Sequence, residues 1–405
     1  MAIGLSLKAG RFTESVIREM TRVNLARNGP ERAVNFAQGF PDFDPVPEIV
    51  EAAHAALSTG GSLHQYATTW GAPALRQAVA DKKSAEWGLP VDPDTQVTVA
   101  CGATESMMAA MLATVDPGDE VVIFEPFYEN YGPDCILSGA EPRYVPLRPP
   151  DWSFDADELR GTFSSKTRAI VVNTPHNPTG KVYSRRELQL IADLCQEHDA
   201  IAITDEIYEH LVYEGEHISI ATLPGMAERT ITISGASKTY SVTGWRIGWL
   251  IAPPALTDGI RKVHDFLTVG AAHPLQIAVA AALRFPASFY DALVEEYRER
   301  RSAMLTGLRE CGFEPNPPAG AYYVMAGIGH LTALDDVAFA QQLIEKAAVA
   351  SVPGSSFYAN RELGRRQLRF SFPKRRETIE RGLVALRAGL AHGDPPRTGS
   401  PWGPG

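Results

Sequence analysis

The run "TRAIVVNTPHNPTG" (Thr167–Gly180) is a short, continuously apolar segment that stops at a cluster of Pro, Asn and Gly. Next comes "ELQLIADLCQEHD" (Glu187–Asp199), apolar at helical spacing, and then "AIAITDEIYEHLVY" (Ala200–Tyr213), which reads as a second strand. Apolar strand, turn, amphipathic helix and apolar strand form the repeating unit of a parallel sheet buried on both faces. The alternation extends in both directions. "TQVTVACGATESMMAAMLATV" (Thr95–Val115) begins with alternating β-branched residues, turns at Gly102 and becomes helical. "EVVIFEPFY" (Glu120–Tyr128), "TITISGASKTY" (Thr230–Tyr240) and "RIGWLIAP" (Arg246–Pro253) supply further strands. The fold class expected is α/β, with a large domain built on a mostly parallel sheet covered by helices. Ligands bind at the carboxyl ends of such strands, where Pro, Asn, Gly and Asp recur here.

After about Pro286 the pattern changes. "ASFYDALVEEYRERRSAMLTGLREC" (Ala287–Cys311) predicts one long amphipathic helix, with Gly312 as its stop signal. "GAYYVMAGIG" (Gly320–Gly329), a helix around Phe339–Ala348 and the strand "QLRFSFP" (Gln367–Pro373) complete a smaller α/β domain. The expected division is an N-terminal segment, 1–45, packing with the small domain; a large domain, 46–286; the small domain, 287–392; and a disordered Pro/Gly-rich tail, 393–405.

Composition narrows the function classes. The 405 residues are 44% hydrophobic and 21% charged, the profile of a globular chain, and the formal net charge is −10. An acidic balance argues against nucleic acid or an anionic membrane as the main partner. The four cysteines, Cys101, Cys135, Cys195 and Cys311, are scattered with no CxxC pair. No metal site is expected, and the thiols read as reduced and buried, in a cytoplasmic protein. The N-terminal stretch lacks a long apolar run, so no secretory signal is expected.

Residues able to do chemistry fall at the strand ends. Lys238 lies in "SGASKTYSVTGWRIGW" (Ser234–Trp249), among small residues and hydroxyls. Ser237 and Thr239 flank it, Gly235 and Gly244 permit close backbone approach, and Arg246 supplies a phosphate-binding fork. Nearby cations depress a lysine's pKa, as a Schiff-base amine requires. In "ITDEIY", Asp205 ends an apolar strand, where a buried carboxylate needs a partner. Either it makes a structural pair or it holds a protonated ring nitrogen, with Tyr208 three residues on. Asn177 sits in an Asn–Pro turn. Ala103 and Thr104 stand where a strand becomes a helix, a start that offers free amides to a phosphate. Tyr128 could stack on a flat ring or be core. Arg369, inside the apolar run "QLRFSFP", must meet an anion: an internal carboxylate or a substrate's.

Together these motifs resemble the class I aminotransferases, the fold-type I pyridoxal phosphate enzymes. "GASKTYSVTGWRIG" matches that family's cofactor-lysine motif along its whole length. "NFAQGFPDF", "CGATES", "NTPHNPTG", "TDEIY" and "LRFSF" occur in the family's order, from about Asn35 to Pro373. The resemblance implies that pyridoxal 5'-phosphate is held covalently by Lys238, which then shuttles the proton. Asp205 would pair with the pyridine nitrogen, Asn177 and Tyr208 with the phenolic oxygen, and Tyr128 would stack on the ring. Ala103, Thr104, Ser237 and Arg246 would bind phosphate, joined by Tyr66 from the partner subunit of a homodimer. Arg369, helped by Gly39 and Asn177, would clamp the substrate α-carboxylate. The pattern is closest to the kynurenine, glutamine and methionine branch, which implies aromatic, sulfur-containing or glutamine-like amino donors and a 2-oxo acid acceptor. Other outcomes on the same cofactor stay open: β-elimination, cyclisation, oxidation, or a non-enzymatic regulatory module. Two departures stand out. Gly235 occupies a position where the family often has a hydroxyl, and no second arginine is evident for a dicarboxylate side chain.

Overall fold

The computed structural model describes Gly4 and residues 6–391, so the tail reading at 393–405 lies outside the described residues. Helix α1 (Val16–Arg32) is capped by Ser15 and breaks at Gly29, whose φ is 71°. It leads into the two-residue strand β1 (Val34–Asn35). Helices α2 (Pro47–Thr59) and α3 (Pro73–Trp87) precede the large sheet, and both start on a proline, where the missing N–H costs nothing.

Seven strands form that sheet: β2 (Val97–Ala100), β3 (Glu120–Glu125), β4 (Glu141–Pro146), β5 (Thr167–Asn173), β6 (Ile201–Asp205), β7 (Thr230–Gly235) and β8 (Gly248–Ile251). Their spatial order is β2-β8-β7-β6-β5-β3-β4. Both neighbours of β8 pair with it antiparallel, and the remaining pairs are parallel. The central strands β5, β6 and β7 are almost wholly buried, as a sheet covered on both faces requires. Helix α4 (Ala103–Thr114) follows β2, and α5 (Tyr131–Ser138) follows β3.

The segment 200–213, expected as one strand, is a strand only to Asp205. Beyond it the backbone folds into consecutive turns, with Glu209 N–H donating to Glu206 O and Leu211 N–H to Tyr208 O. The Asp205 carboxylate starts this by accepting from the Ile207 amide. The side chains alternate accordingly: Asp205, Ile207 and Tyr208 face a cavity, whereas Glu206 and Glu209 enter a buried ionic cluster.

The C-terminal part carries an antiparallel sheet formed by β9 (Glu314–Pro315), β10 (Tyr323–Gly327), β12 (Val352–Pro353) and β13 (Gln367–Ser371), in the order β12-β13-β10-β9. The long helix spans Ala287–Glu310, and Gly312 just past it has φ +86°. Strand β1 pairs with β11 (Val349–Ala350), and Asn24 of α1 donates to both Val34 O and Ala348 O. The N-terminal segment is thus stitched to the C-terminal sheet and helices, and their side chains share one core. The start of α1 is tied instead to the loop after β3: Glu129 accepts from the Ser15 hydroxyl and the Ile17 amide. Among the described residues, no single helix is long and apolar enough to cross a membrane.

Candidate active site

The carboxyl ends of the sheet open into a cavity of about 510 Å³, lined on one side by the large sheet's loops and on the other by β10, β13 and the start of α1. Lys238 follows β7, in the four-residue helical turn Ala236–Thr239, and its Nζ donates to Gly39 O at 3.1 Å. Burial, reinforced by Arg246, lowers its pKa to about 8, so a sizeable neutral fraction exists near physiological pH. Asp205 sits across the cavity. Its Oδ2 accepts from the Tyr131 hydroxyl at 2.7 Å, and burial raises its pKa. It neither caps a helix nor pairs with an arginine.

Arg369 comes from β13 and is only 1% exposed. Its Nη1 donates to Asn177 Oδ1 at 2.9 Å and its Nη2 to Ala37 O at 2.6 Å, while its Nε has no partner. The guanidinium lies over the rings of Tyr323 and Phe357. No carboxylate lies within 4 Å of it among the described residues, so the internal-anion alternative does not describe it. The Tyr208 hydroxyl meets that of Tyr323 at 2.8 Å. Tyr128 lines the cavity and packs edge-on to Tyr131.

The opposite end is a ready anion cradle. Ala103 and Thr104 are the first residues of α4, whose amides have no acceptor within the helix. Arg246 sits over this start: a Cβ on Gly102, whose φ is +83°, would strike its guanidinium. Ser237, Thr104 and Thr243 line the same wall. Gly235 has a packing reason. It pairs with Gly248 across β7 and β8, and a Cβ there would sit 3.0 Å from both Gly248 Cα and Ile247 O. Gly248 in turn presses on the Gly102–Ala103 backbone. Gly235 on β7, Gly248 on β8 and Gly102 at the N-cap of α4 therefore let the helix start approach the sheet, and a side chain at 235 would need its neighbours to give by a few tenths of an ångström. Gly244, in contrast, faces open space and is not a close-approach position.

The cavity thus assembles Lys238, Asp205, Tyr208, Asn177, Tyr128, Ser237, Ala103, Thr104, Arg246, Gly39 and Arg369. Tyr66 is not among them. It is 85% exposed on the protomer's surface. Several residues here escaped the sequence reading. Tyr131 lies three residues beyond Tyr128, and nothing in the local pattern singled it out. Tyr322, which donates to Gly39 O, and Tyr323 lay in "GAYYVMAGIG", which was read only as part of the smaller domain. Lys374 is buried and donates to Phe40 O. Burial holds its pKa down near 8, and together with Tyr322 it fixes the Gly39 loop. A phosphate cradle, a buried acceptor for a ring N–H and a buried low-pKa lysine in one cavity fit pyridoxal phosphate.

The comparisons with known proteins agree. The family model for aminotransferase class I and II matches residues 31–386. A solved structure of N-succinyldiaminopimelate aminotransferase from Mycobacterium tuberculosis superposes with a TM-score of 0.91 at 38% identity, covering 95% of this chain and all of that one. A mouse kynurenine–oxoglutarate transaminase 3 is 38% identical over 384 residues, 88% of this chain and 84% of its own. The methionine aminotransferase of Escherichia coli K12 is 36% identical over 357 residues, 88% of this chain and 92% of its own. From fold, site chemistry and kinship alike, the chain belongs to the class I and II aminotransferases, as a pyridoxal phosphate-dependent transaminase of fold type I.

Proposed function

We propose that this transaminase acts on aromatic, sulfur-containing or glutamine-like L-amino acids, with Arg369 as the clamp for the α-carboxylate of donor and 2-oxo acid alike. One observation carries the assignment: a fully buried guanidinium, with a free N–H, has no carboxylate within 4 Å to balance it among the described residues, and burying an unpaired charge is costly. Asn177 and Ala37 O hold the guanidinium in place, and Gly39 lies on the cavity wall beside it. The kynurenine and methionine relatives support the donor range.

The cofactor would be held by Lys238 covalently, with Asp205 at its ring nitrogen and Asn177 and Tyr208 at its phenolic oxygen. Tyr128 would lie against its face, and Ala103, Thr104, Ser237 and Arg246 around its phosphate. When bound, pyridoxal phosphate supplies an electron sink that makes the donor's Cα–H acidic. Once the donor's amine has displaced it from the cofactor, the freed Lys238 Nζ would take that proton and return one on the other side of the exchange. Its lowered pKa suits it to both roles. Asp205 keeps the ring nitrogen protonated, and the Tyr131 hydroxyl holds Asp205 in place.

Arg369→Gln should raise KM for amino acid and 2-oxo acid roughly 10- to 100-fold, the scale of a lost charged hydrogen-bonded pair. Unchanged KM values for both in steady-state kinetics would remove Arg369 from the clamp.

We further read 46–286 as the cofactor-binding domain and 287–392, with 1–45 packed on it, as the small domain. The separate seven-stranded and four-stranded sheets support this reading. The protein is read as a cytoplasmic homodimer in which Tyr66 reaches the partner's phosphate site. Tyr66 and Phe266 are both exposed, and the segments carrying them are tied together: His264 bonds Thr69 O, and His273 bonds Gln65 O. Sedimentation equilibrium should give twice the 44.0 kDa chain mass. A monomer that retains full activity would exclude shared sites, and recovery of the protein in a membrane or secreted fraction would exclude the compartment.

A further inference from the structure

Three tyrosines from two distant parts of the chain pack together at the cavity. Tyr208 lies in the turns after β6, Tyr323 opens β10 and Tyr322 precedes it. Their rings meet edge-on or tilted, with centroids 4.9 to 5.8 Å apart. All three are buried, and a buried hydroxyl must find a partner. The Tyr322 hydroxyl gives its proton to Gly39 O. The hydroxyls of Tyr208 and Tyr323 meet at 2.8 Å, and both residues line the cavity.

The direction of that last bond follows from counting protons. A tyrosine hydroxyl carries one proton and two lone pairs. If Tyr208 donates to the cofactor's phenolic oxygen, it has no proton left for Tyr323. The 2.8 Å contact must then run from Tyr323 to Tyr208. A hydroxyl that accepts a hydrogen bond is polarised and becomes a stronger donor itself.

Tyr323 is held where this donation needs it. Its backbone pairs with Ser371 across β10 and β13. The Arg369 guanidinium lies 4.4 Å from its ring centroid. Its hydroxyl occupies space that a side chain at Gly39 would fill, since a Cβ there would strike it. One side chain therefore presents its face to the α-carboxylate clamp and its hydroxyl to Tyr208.

We propose that Tyr323 is a positioning residue for the cofactor: its hydroxyl donates to Tyr208 and so turns the Tyr208 proton onto the phenolic oxygen. The proposal rests on the reading of Tyr208 given above. The charged groups of the same cavity, Asp205, Lys238, Arg246 and Arg369, stay in place when either hydroxyl is removed. Tyr323→Phe keeps the ring under Arg369 and deletes only the donor.

The test follows the visible absorbance of the cofactor bound in the holoenzyme through a pH titration. Losing a donor to the ionised phenolic oxygen raises the midpoint of that titration. Tyr208→Phe should raise it by about one unit, and Tyr323→Phe by about half a unit, roughly a threefold change in the ionisation constant. In the Tyr208→Phe background, adding Tyr323→Phe should shift the midpoint no further, because Tyr323 acts through Tyr208. An unshifted midpoint in Tyr323→Phe overturns the proposal. So does a Tyr323→Phe shift of equal size in both backgrounds, which would mark a general effect on the cavity. An unshifted midpoint in Tyr208→Phe would instead remove Tyr208 from the phenolic oxygen, and the proposal would fall with that reading.

Discussion

Replacing Lys238 with alanine should lower kcat by at least about 10²–10⁴-fold, the contribution of one positioned proton-transfer group, while the folded protein persists. Lys238 both anchors the cofactor and moves the proton, so its loss removes two functions at once. The amine lies at a cavity wall and, among the described residues, donates to Gly39 O. Alanine at 238 leaves that carbonyl with its bond from Tyr322, so the loop keeps its anchor. Single-turnover kinetics with methionine, beside a circular-dichroism melt, checks both halves. A variant with more than a tenth of wild-type turnover would exclude Lys238 as the proton carrier.

A second large effect is expected far from the substrate. Lys83 on α3 is buried and ion-paired to Glu209, and also to Glu86 at 2.7 Å. Glu209 accepts as well from the Ser234 hydroxyl, while neighbouring Glu206 accepts from Thr204, Ser219 and His217. The attraction of Lys83 outweighs burial and holds Glu209 down near 2. Lys83→Met would leave that carboxylate buried without its cation, at a cost of about 3–5 kcal/mol at pH 7. The sign with pH follows. In the wild type, a depressed Glu209 contributes stability above its ordinary value of 4.5, and this is lost as pH falls toward 2. In the variant, burial without a cation raises the group instead, so protonation relieves the strain and the gap to wild type narrows as the solution is acidified. Urea midpoints at pH 7 and pH 4.5 test this. Lys83→Met/Glu209→Gln should recover much of the loss. A gap of equal size at both pH values would mean that packing, not the stranded charge, is responsible.

The parallel sheet was legible because β5, β6 and β7 are buried on both faces and so carry short runs of apolar and β-branched residues. The end of β6 was less legible. "EIYEHLVY" has strand-like composition, and only the Asp205 carboxylate turning onto the Ile207 amide ends the strand. The cofactor side of the site was readable because a cofactor demands fixed residue types at strand ends. The substrate side was not. Arg18, Tyr131 and Tyr323 reach the cavity from three elements distant in sequence, and local spacing carries no sign of that meeting. Gly235 was legible as a close-approach position, but the atoms that crowd it, from Ile207, Ile247 and Gly248, are not visible in its local pattern.

The Glu129 anchor on the first turn of α1 has a consequence for how such an enzyme diversifies. Residues around the cofactor come from the large sheet's loops, whereas the position of Arg18 depends on a single helix start pinned by one carboxylate. Exchanging side chains along that turn can retune what the enzyme accepts while leaving the cofactor machinery untouched. Acceptance of new donors and preservation of the chemistry are therefore separately mutable traits in this chain, and laboratory selection for altered donors should accumulate changes in residues 15–18 before any in residues 234–246.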